Sequence, residues 1–416
     1  VSTVGVVGLG YVGLPLAVAF AESGADVIAV DTDPRKVEAL QRGESYVEDI
    51  PAGRLAAVLP RLTAMTRYAS LSGADAIIVC VPTPLTANRE PDLQPLLSSA
   101  NAIGEVLQSG QLVVLESTTF PGTTRERLVP LLEESGLKAG RDFHVAYSPE
   151  RVDPGRTDFT LRNTPKVVGG LTDRCLEHAT DLYRTVCDEL VPVSTPEAAE
   201  LTKLLENIFR SVNIALVNEL TILCDRMGID IREVVEAAAS KPYGFMRFDP
   251  GPGMGGHCLP VDPFYLAWKA REYDLSVEFI ELAGKVNQYM PHYCAELAQR
   301  ALNDVSKPVR GSRVAIFGVA YKAGVGDLRE SPALKIMEIL GALGAELVFH
   351  DPHVCEIPGF PVLGVSYDDA VAGTDLAIIV TAHPGVDHEG LLERVPQVLD
   401  LRGELRKAPA TNLIHL

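Results

Sequence analysis

The strongest constraint on the fold lies near the amino end. Val4, Val6 and Val7 make a short apolar strand pattern that runs into Gly8-Leu9-Gly10-Tyr11-Val12-Gly13 and then a helical pattern from Leu14 to Phe20. A second apolar run, Val27 to Val30, ends on Asp31, 18 residues beyond Gly13. A G-x-G-x-x-G turn alone is weak evidence. One that closes a strand, opens a helix and is followed by an acid-ended strand is a dinucleotide-binding βαβ unit. The glycines permit the tight turn and bring the backbone close to a pyrophosphate at the helix N-terminus. Asp31 accepts from ribose hydroxyls and repels a 2′-phosphate, which favours NAD over NADP, although Arg35 and Lys36 stand nearby.

The rest of the first two hundred or so residues reads as alternating strands and helices. Runs at Asp75–Val81, Leu112–Leu115 and His144–Tyr147 end in Pro82-Thr83-Pro84, Glu116-Ser117-Thr118-Thr119 and Ser148-Pro149-Glu150-Arg151. Ligands of parallel sheets bind at the carboxyl ends of strands, so Thr83, Thr118 and Glu150 are candidates for one site. The alternative is that they are ordinary turn and cap residues.

A long helix is expected from Thr195-Pro196-Glu197, with Thr as cap and Pro at the first helical position, to Met227, where Gly228 ends it. Leu201, Leu204, Leu205, Ile208 and Val212 form an apolar stripe on it. Lys203, Asn207 and Arg210 lie on the opposite face at ~100° per residue. Further helices are expected to residue 300, interrupted by Gly255-Gly256-His257-Cys258-Leu259-Pro260-Val261-Asp262. A cysteine among glycines and prolines suits nucleophilic chemistry, though free cysteines are most often small core residues. Residues 303–313 read as a linker. Beyond it Val314–Phe317, a helix around Leu334–Leu340, and Leu347–Phe349 before Asp351 form a second βαβ unit. Its turn, Gly318-Val319-Ala320, lacks the full fingerprint; Lys322 and Arg329 suggest phosphate binding by side chains.

The expected fold is therefore α/β. Two Rossmann-like doubly wound domains (1–194 and 314–416) flank a central all-helical domain (195–302) with a long connecting helix. A formal net charge of −18 argues against a nucleic-acid surface and a basic membrane patch. Residues 1–21 carry no charge, but they lack the basic segment of a signal peptide and are rich in glycine, as a Rossmann start should be. Seven scattered cysteines without a C-x-x-C pair suit a reduced cytoplasm and give no zinc or disulfide framework. No metal is expected.

Taken together, V-G-L-G-Y-V-G-L-P, C-V-P-T-P, S-T-x-x-P-G-T-T, S-P-E-R, K-x-x-E-N at Lys203–Asn207, G-G-H-C, and Y-K-x-x-x-x-D-x-R-E-S at Tyr321–Ser331 resemble the nucleotide-sugar 6-dehydrogenase family over nearly the whole chain. The resemblance implies four-electron oxidation of the sugar C6 alcohol to a carboxylate with two NAD, as in surface-polysaccharide or antibiotic-sugar biosynthesis. Cys258 would form a thiohemiacetal and then a thioester. Lys203 would stabilise the oxyanion and Asn207 would orient the sugar hydroxyl or a water. Asp262 and Thr118 would position a water, and Glu150 would be the base in thioester hydrolysis.

By the same carry-over Gly8, Gly10, Gly13, Tyr11, Val12, Asp31, Lys36, Thr83, Thr118 and Arg329 would bind NAD. Glu150, Lys203, Asn207, Arg210, Gly255, Lys322 and Arg402 would contact the UDP-sugar, and Tyr243 and Phe245 would belong to the loop to Gly256 that wraps the uridine. Lys241 and Arg247 are candidates for a residue donated across a homodimer interface. His257 and the following prolines depart from the UDP-glucose pattern toward the branch oxidising acetamido sugars, with UDP-N-acetylglucosamine the first expectation. Many members carry a second acid four residues after the Glu150 position; here Pro154 stands there, beside Asp153. Two-electron hydroxyacid dehydrogenases have no use for Cys258, and a non-catalytic sensor would be expected to lose Cys258, Lys203 or Glu150.

Overall fold

A computed structural model describes residues 2–47, 49–86, 88–152, 158–256 and 258–416, with backbone alone for 258–260. The chain divides into two compact units. One comprises Val1–Glu206 with Phe264–Leu275, the other Asn207–Pro263 with Ser276–Leu416.

The first unit is built on eight strands: β1 (Thr3–Val7), β2 (Asp26–Val30), β3 (Leu62–Met65), β4 (Ala76–Val79), β5 (Leu112–Leu115), β6 (His144–Tyr147), β7 (Lys166–Gly170) and β8 (Leu190–Val193), in the order β3-β2-β1-β4-β5-β6-β7-β8. The first six follow the doubly wound dinucleotide-binding order. Strand residues alternate between two apolar layers, with Ile78 and Val114 on one face and Ile77 and Val113 on the other, all fully buried. Burying each such side chain stabilises the fold by about 1.5–3 kcal/mol. That is why the runs read as continuous and not alternating. One departure from the expected parallel sheet is β7, which pairs antiparallel to β6 (Ala146↔Gly170, Tyr147↔Gly169).

The second unit carries β9 (Arg313–Phe317), β10 (Glu346–His350), β11 (Leu376–Ile379), β12 (Gln397–Asp400) and β13 (Leu413–His415), all parallel, in the order β10-β9-β11-β12-β13. The helices Ile231–Ala239 and Glu278–Asp304 belong to it, the latter running into the first two residues of the segment read as a linker.

The long helix spans Pro196–Met227. Thr195 Oγ1 accepts from Ala198 N at 3.1 Å and Gly228 ends the helix at φ +68°. Its apolar stripe is only partly covered. Leu204 and Ile208 are buried, but Leu205 is 62% exposed, and Leu201, Phe209, Leu216, Leu220, Leu223 and Met227 continue an exposed apolar stripe. The polar side carries a buried residue instead, Asn207 at 6% exposure. The stripe is therefore not simply a core-facing one. Among the described residues, no helix is long and apolar enough to cross a membrane.

Candidate active site

Gly8 and Gly13 of the first turn each have a separate steric reason. Gly8 adopts φ +89°, and a Cβ there would sit 2.6 Å from Cys80 O. A Cβ on Gly13 would lie 1.8 Å from Gly8 O, so helix and turn meet only at glycine. A Cβ on Gly10 would meet nothing within 4 Å, so close packing does not explain that residue. The helix Gly13–Glu22 has no side-chain cap and no acid in its first turn, which leaves its N-terminus suited to a phosphate. The open face at Gly10 beside this helix start fits the pyrophosphate of a dinucleotide.

Asp31, at the end of β2, accepts from Leu9 N at 2.8 Å, Asp33 N at 2.9 Å and Lys36 Nζ at 2.9 Å. Lys36 thus neutralises Asp31, and Arg35 is paired with Asp33 at 2.8 Å. The two cations that left room for a 2′-phosphate are both engaged by acids. Along the strand ends, Thr83 Oγ1 donates to Thr118 O at 2.7 Å, and Tyr265 Oη donates to Thr83 O at 2.6 Å. Tyr265 is fully buried and lies on the helix Cys258–Ala270 that begins at the candidate nucleophile. Lys203 Nζ donates to Glu150 O at 2.5 Å, and the Glu150 carboxylate accepts from Arg151 N at 2.8 Å and Val152 N at 2.5 Å. The first unit thus joins Thr83 to Thr118 and Lys203 to Glu150.

Sequence reasoning missed the groups behind these residues. Glu200, buried on the long helix, accepts from Gly122 N (2.6 Å), Thr124 N (2.8 Å) and Thr124 Oγ1 (2.7 Å), which ties down the loop after Thr118. Burial outweighs these bonds and pushes its carboxyl up to about 7. Glu116, Lys166 and Tyr183 form a second buried cluster. A lone Lys166 at the head of a strand carries no motif. Glu116 was in view only as part of a strand-end sequence.

In the second unit Asn207 Nδ2 donates to Asp262 Oδ2 at 2.5 Å, which joins two of the candidates. Gly255 and Gly256 have a structural role as well. A Cβ on Gly255 would lie 2.6 Å from Tyr321 Cβ, and Gly256 holds φ +85° with its N–H on Arg329 O at 2.9 Å. These glycines let the loop approach its own protein. Asn218 Oδ1 receives Gly251 N at 3.0 Å and pins the Gly251-Pro252-Gly253 loop. Arg402 lies beside Gly251, its Nε donating to Val380 O at 2.7 Å. Burial, then the neighbouring Arg232, pushes the Arg402 guanidinium down to about 10. Tyr243, Phe245 and Arg210 are exposed; Arg247 pairs with Asp249 at 2.9 Å and Arg329 with Asp327 at 2.6 Å. Lys322 is part-buried.

The turn after β9 repeats the geometry of the first. Gly318 takes φ +78° and donates to His350 O at 2.9 Å, while Asp351 accepts from Val319 N at 2.8 Å and Ala320 N at 3.1 Å. Gly8 N on Val30 O (2.8 Å) and Leu9 N on Asp31 match this. Asp351 also takes a 3.0 Å hydrogen bond from the buried His383 Nε2, whose Nδ1 accepts from Gly324 N. Burial pushes the Asp351 carboxyl up, but His383 and the backbone donors outweigh it and hold it below its ordinary range. His257, Asp153, Pro154 and the Cys258 side chain lie outside the described residues.

Three stretches match the successive domains of one family, the UDP-glucose/GDP-mannose dehydrogenases: the NAD binding domain over residues 2–187, the central domain over 197–289 and the UDP binding domain over 315–407. The chain is similar to a UDP-N-acetyl-D-mannosamine dehydrogenase of Pyrococcus horikoshii, at 37% identity over 92% of this chain and 89% of that protein. It is likewise similar to a UDP-N-acetyl-D-glucosamine 6-dehydrogenase of Pseudomonas aeruginosa, at 37% identity over 84% of this chain and 83% of that protein. The solved structure of the UDP-D-ManNAc dehydrogenase from Pyrococcus horikoshii superposes with a TM-score of 0.91 at 36% identity, covering 99% of this chain and 98% of that one. The chain therefore belongs to the UDP-glucose/GDP-mannose dehydrogenase family and is an NAD-dependent nucleotide-sugar dehydrogenase.

Proposed function

We propose that this enzyme oxidises the C6 primary alcohol of a UDP-N-acetylhexosamine to the uronic acid, with UDP-N-acetylglucosamine the first substrate to assay. The observation that carries this reading is near-full-length similarity to relatives whose names specify N-acetylated UDP-sugars. A second reading, UDP-N-acetylmannosamine, is favoured by the larger share of the chain covered by the relative named for it. UDP-glucose and TDP-glucose are the further alternatives for the same chemistry.

Bound NAD supplies the hydride acceptor. The chain's own residues do the rest. Cys258 attacks the aldehyde carbonyl as a thiolate and holds the carbon as a thiohemiacetal, then as a thioester. Lys203 stabilises the charge that develops on oxygen and, as a cation, favours the thiolate. Asn207 and Asp262, hydrogen-bonded to one another, orient the reacting hydroxyl or a water with Thr118. Glu150 takes the proton from the water that cleaves the thioester. The functional divisions we assign are an NAD-binding domain (1–194), a central domain with the cysteine loop (195–302), a linker (303–313) and a UDP-sugar domain (314–416). We assign a homodimer to the exposed apolar stripe from Leu201 to Met227.

The test is NADH formed per molecule of limiting UDP-N-acetylglucosamine, UDP-N-acetylmannosamine, UDP-glucose and TDP-glucose, beside Cys258→Ala. Two NADH per sugar, lost in the variant, supports the thioester route, and the highest kcat/KM names the sugar. One NADH per sugar refutes it.

A further inference from the structure

Glu150 does not stand alone behind the strand ends. Because β7 runs antiparallel to β6, its first residue, Lys166, arrives at the carboxyl end of the sheet. There the Lys166 ammonium, with its side chain 3% exposed, lies 3.2 Å from Glu116 Oε2 and 3.6 Å from Glu150 Oε2. It also donates to Pro149 O at 3.3 Å. Glu116 is fully buried, and its other oxygen receives the Tyr183 hydroxyl. The second Glu150 oxygen is held by the two backbone N–H groups of Arg151 and Val152. Among the described residues, the remaining groups around Glu150 are Arg151, paired with Glu206 at 2.6 Å, Lys203 on the Glu150 carbonyl, and the thiols Cys80 and Cys187.

A lysine this buried is costly unless paired. Burial pulls the Lys166 ammonium down, but Glu116 and Glu150 outweigh it and raise it above its ordinary value, while burial raises the Glu116 carboxyl. One cation therefore serves two carboxylates, of which only Glu150 reaches the surface.

We propose that Lys166, anchored by Glu116 and Tyr183, is a positioning residue that holds the Glu150 carboxylate oriented for proton abstraction. This rests on the assignment of Glu150 as the base of thioester hydrolysis. In that step the water oxygen bonds to the acyl carbon, its proton passes to Glu150, and the carbon–sulfur bond breaks to return Cys258 as thiolate. Without the cation, two carboxylates share the site and hold a proton between them to higher pH.

The experiment is the pH profile of kcat for the full-length enzyme, with Glu150→Gln, Lys166→Met, Lys166→Arg, Glu116→Gln and the double Glu116→Gln/Lys166→Met. In Lys166→Met the acid limb moves up by about one pH unit or more, as an opposite charge within ~4–6 Å commonly accounts for, with KM little changed. The double variant returns the limb toward wild type, Lys166→Arg keeps it, and Glu116→Gln alone moves it to lower pH. Should Lys166→Met fail to fold, the Glu116→Gln limb decides: a limb moved to lower pH supports the proposal and an unmoved one overturns it. A lowered rate with an unmoved limb overturns the proposal and leaves Lys166 a structural residue. If Glu150→Gln retains full turnover, the assignment of Glu150 itself fails. If that variant is inactive and the Lys166 profiles are unmoved, only the present proposal fails.

Discussion

Glu200 makes the fold of the first unit pH-dependent in a way that can be isolated. A carboxyl whose folded-state pKa lies above its unfolded value takes up protons preferentially in the folded chain. Its stabilisation is complete below the unfolded value and is lost as pH rises through the folded one. Raising a glutamate from 4.5 to about 7, at about 1.36 kcal/mol per pH unit, gives an upper bound of about 3 kcal/mol lost across that window. Substitution Glu200→Gln keeps the size and one acceptor but removes the titration. Other groups titrate as well, His144 and His388 among them, both pulled down chiefly by burial. They are common to both proteins and cancel in the difference. The chain's single tryptophan, Trp268, packs against Phe120 with ring centroids 4.9 Å apart, two residues from the Gly122 N–H that Glu200 binds. Urea unfolding followed by its fluorescence therefore reads the right region. The difference in stability between wild type and variant should fall as pH rises from about 4.5 to 7 and be flat above it. Parallel stability curves through that window would refute the reasoning.

The two turn glycines separate packing from binding. Gly10→Ala should leave urea stability within about 1 kcal/mol while weakening NAD measured by calorimetry, whereas Gly13→Ala should lower stability itself, since its Cβ collides with Gly8 O. Tyr265→Phe removes a buried bond to Thr83 O, leaves that acceptor unsatisfied and should cost about 1–3 kcal/mol, with a raised KM for NAD; an unchanged KM would separate Tyr265 from the cofactor side. Thr195→Ala should cost about 1 kcal/mol by uncapping the long helix, seen as a lower urea midpoint.

The sequence revealed features whose causes are local. The strand-turn-helix at Gly8–Gly13 is legible because its signals are local: the spacing of the glycines, the positive φ of Gly8 and the contact of Gly13 with Gly8 O. The long helix is legible because Thr195, Pro196 and Gly228 are local stop and start signals. Asn207 and Asp262 were assigned separately, by motif, and no spacing rule announced that their side chains meet. Lys166, Glu116 and Glu200 were not legible at all, since a buried charge is explained only by partners far along the chain. Which apolar residues of the long helix stay exposed was not legible, because periodicity reports an apolar face and says nothing about what covers it. The packing role of Gly255 and Gly256 was not legible because the neighbour that demands them, Tyr321, is remote in sequence.

The membership of Phe264–Leu275 in the first unit has a consequence for how the chain is made. During synthesis, residues up to Glu206 leave the ribosome with the Thr83 carbonyl and the Phe120 ring still lacking Tyr265 and Trp268. They acquire these partners only after residues 207–263 have followed. Closing so long a loop is entropically slow relative to local contacts. A fragment ending at Glu206 should thus persist as an incompletely packed intermediate, and the segment carrying Tyr265 should be the last piece of that unit to lock.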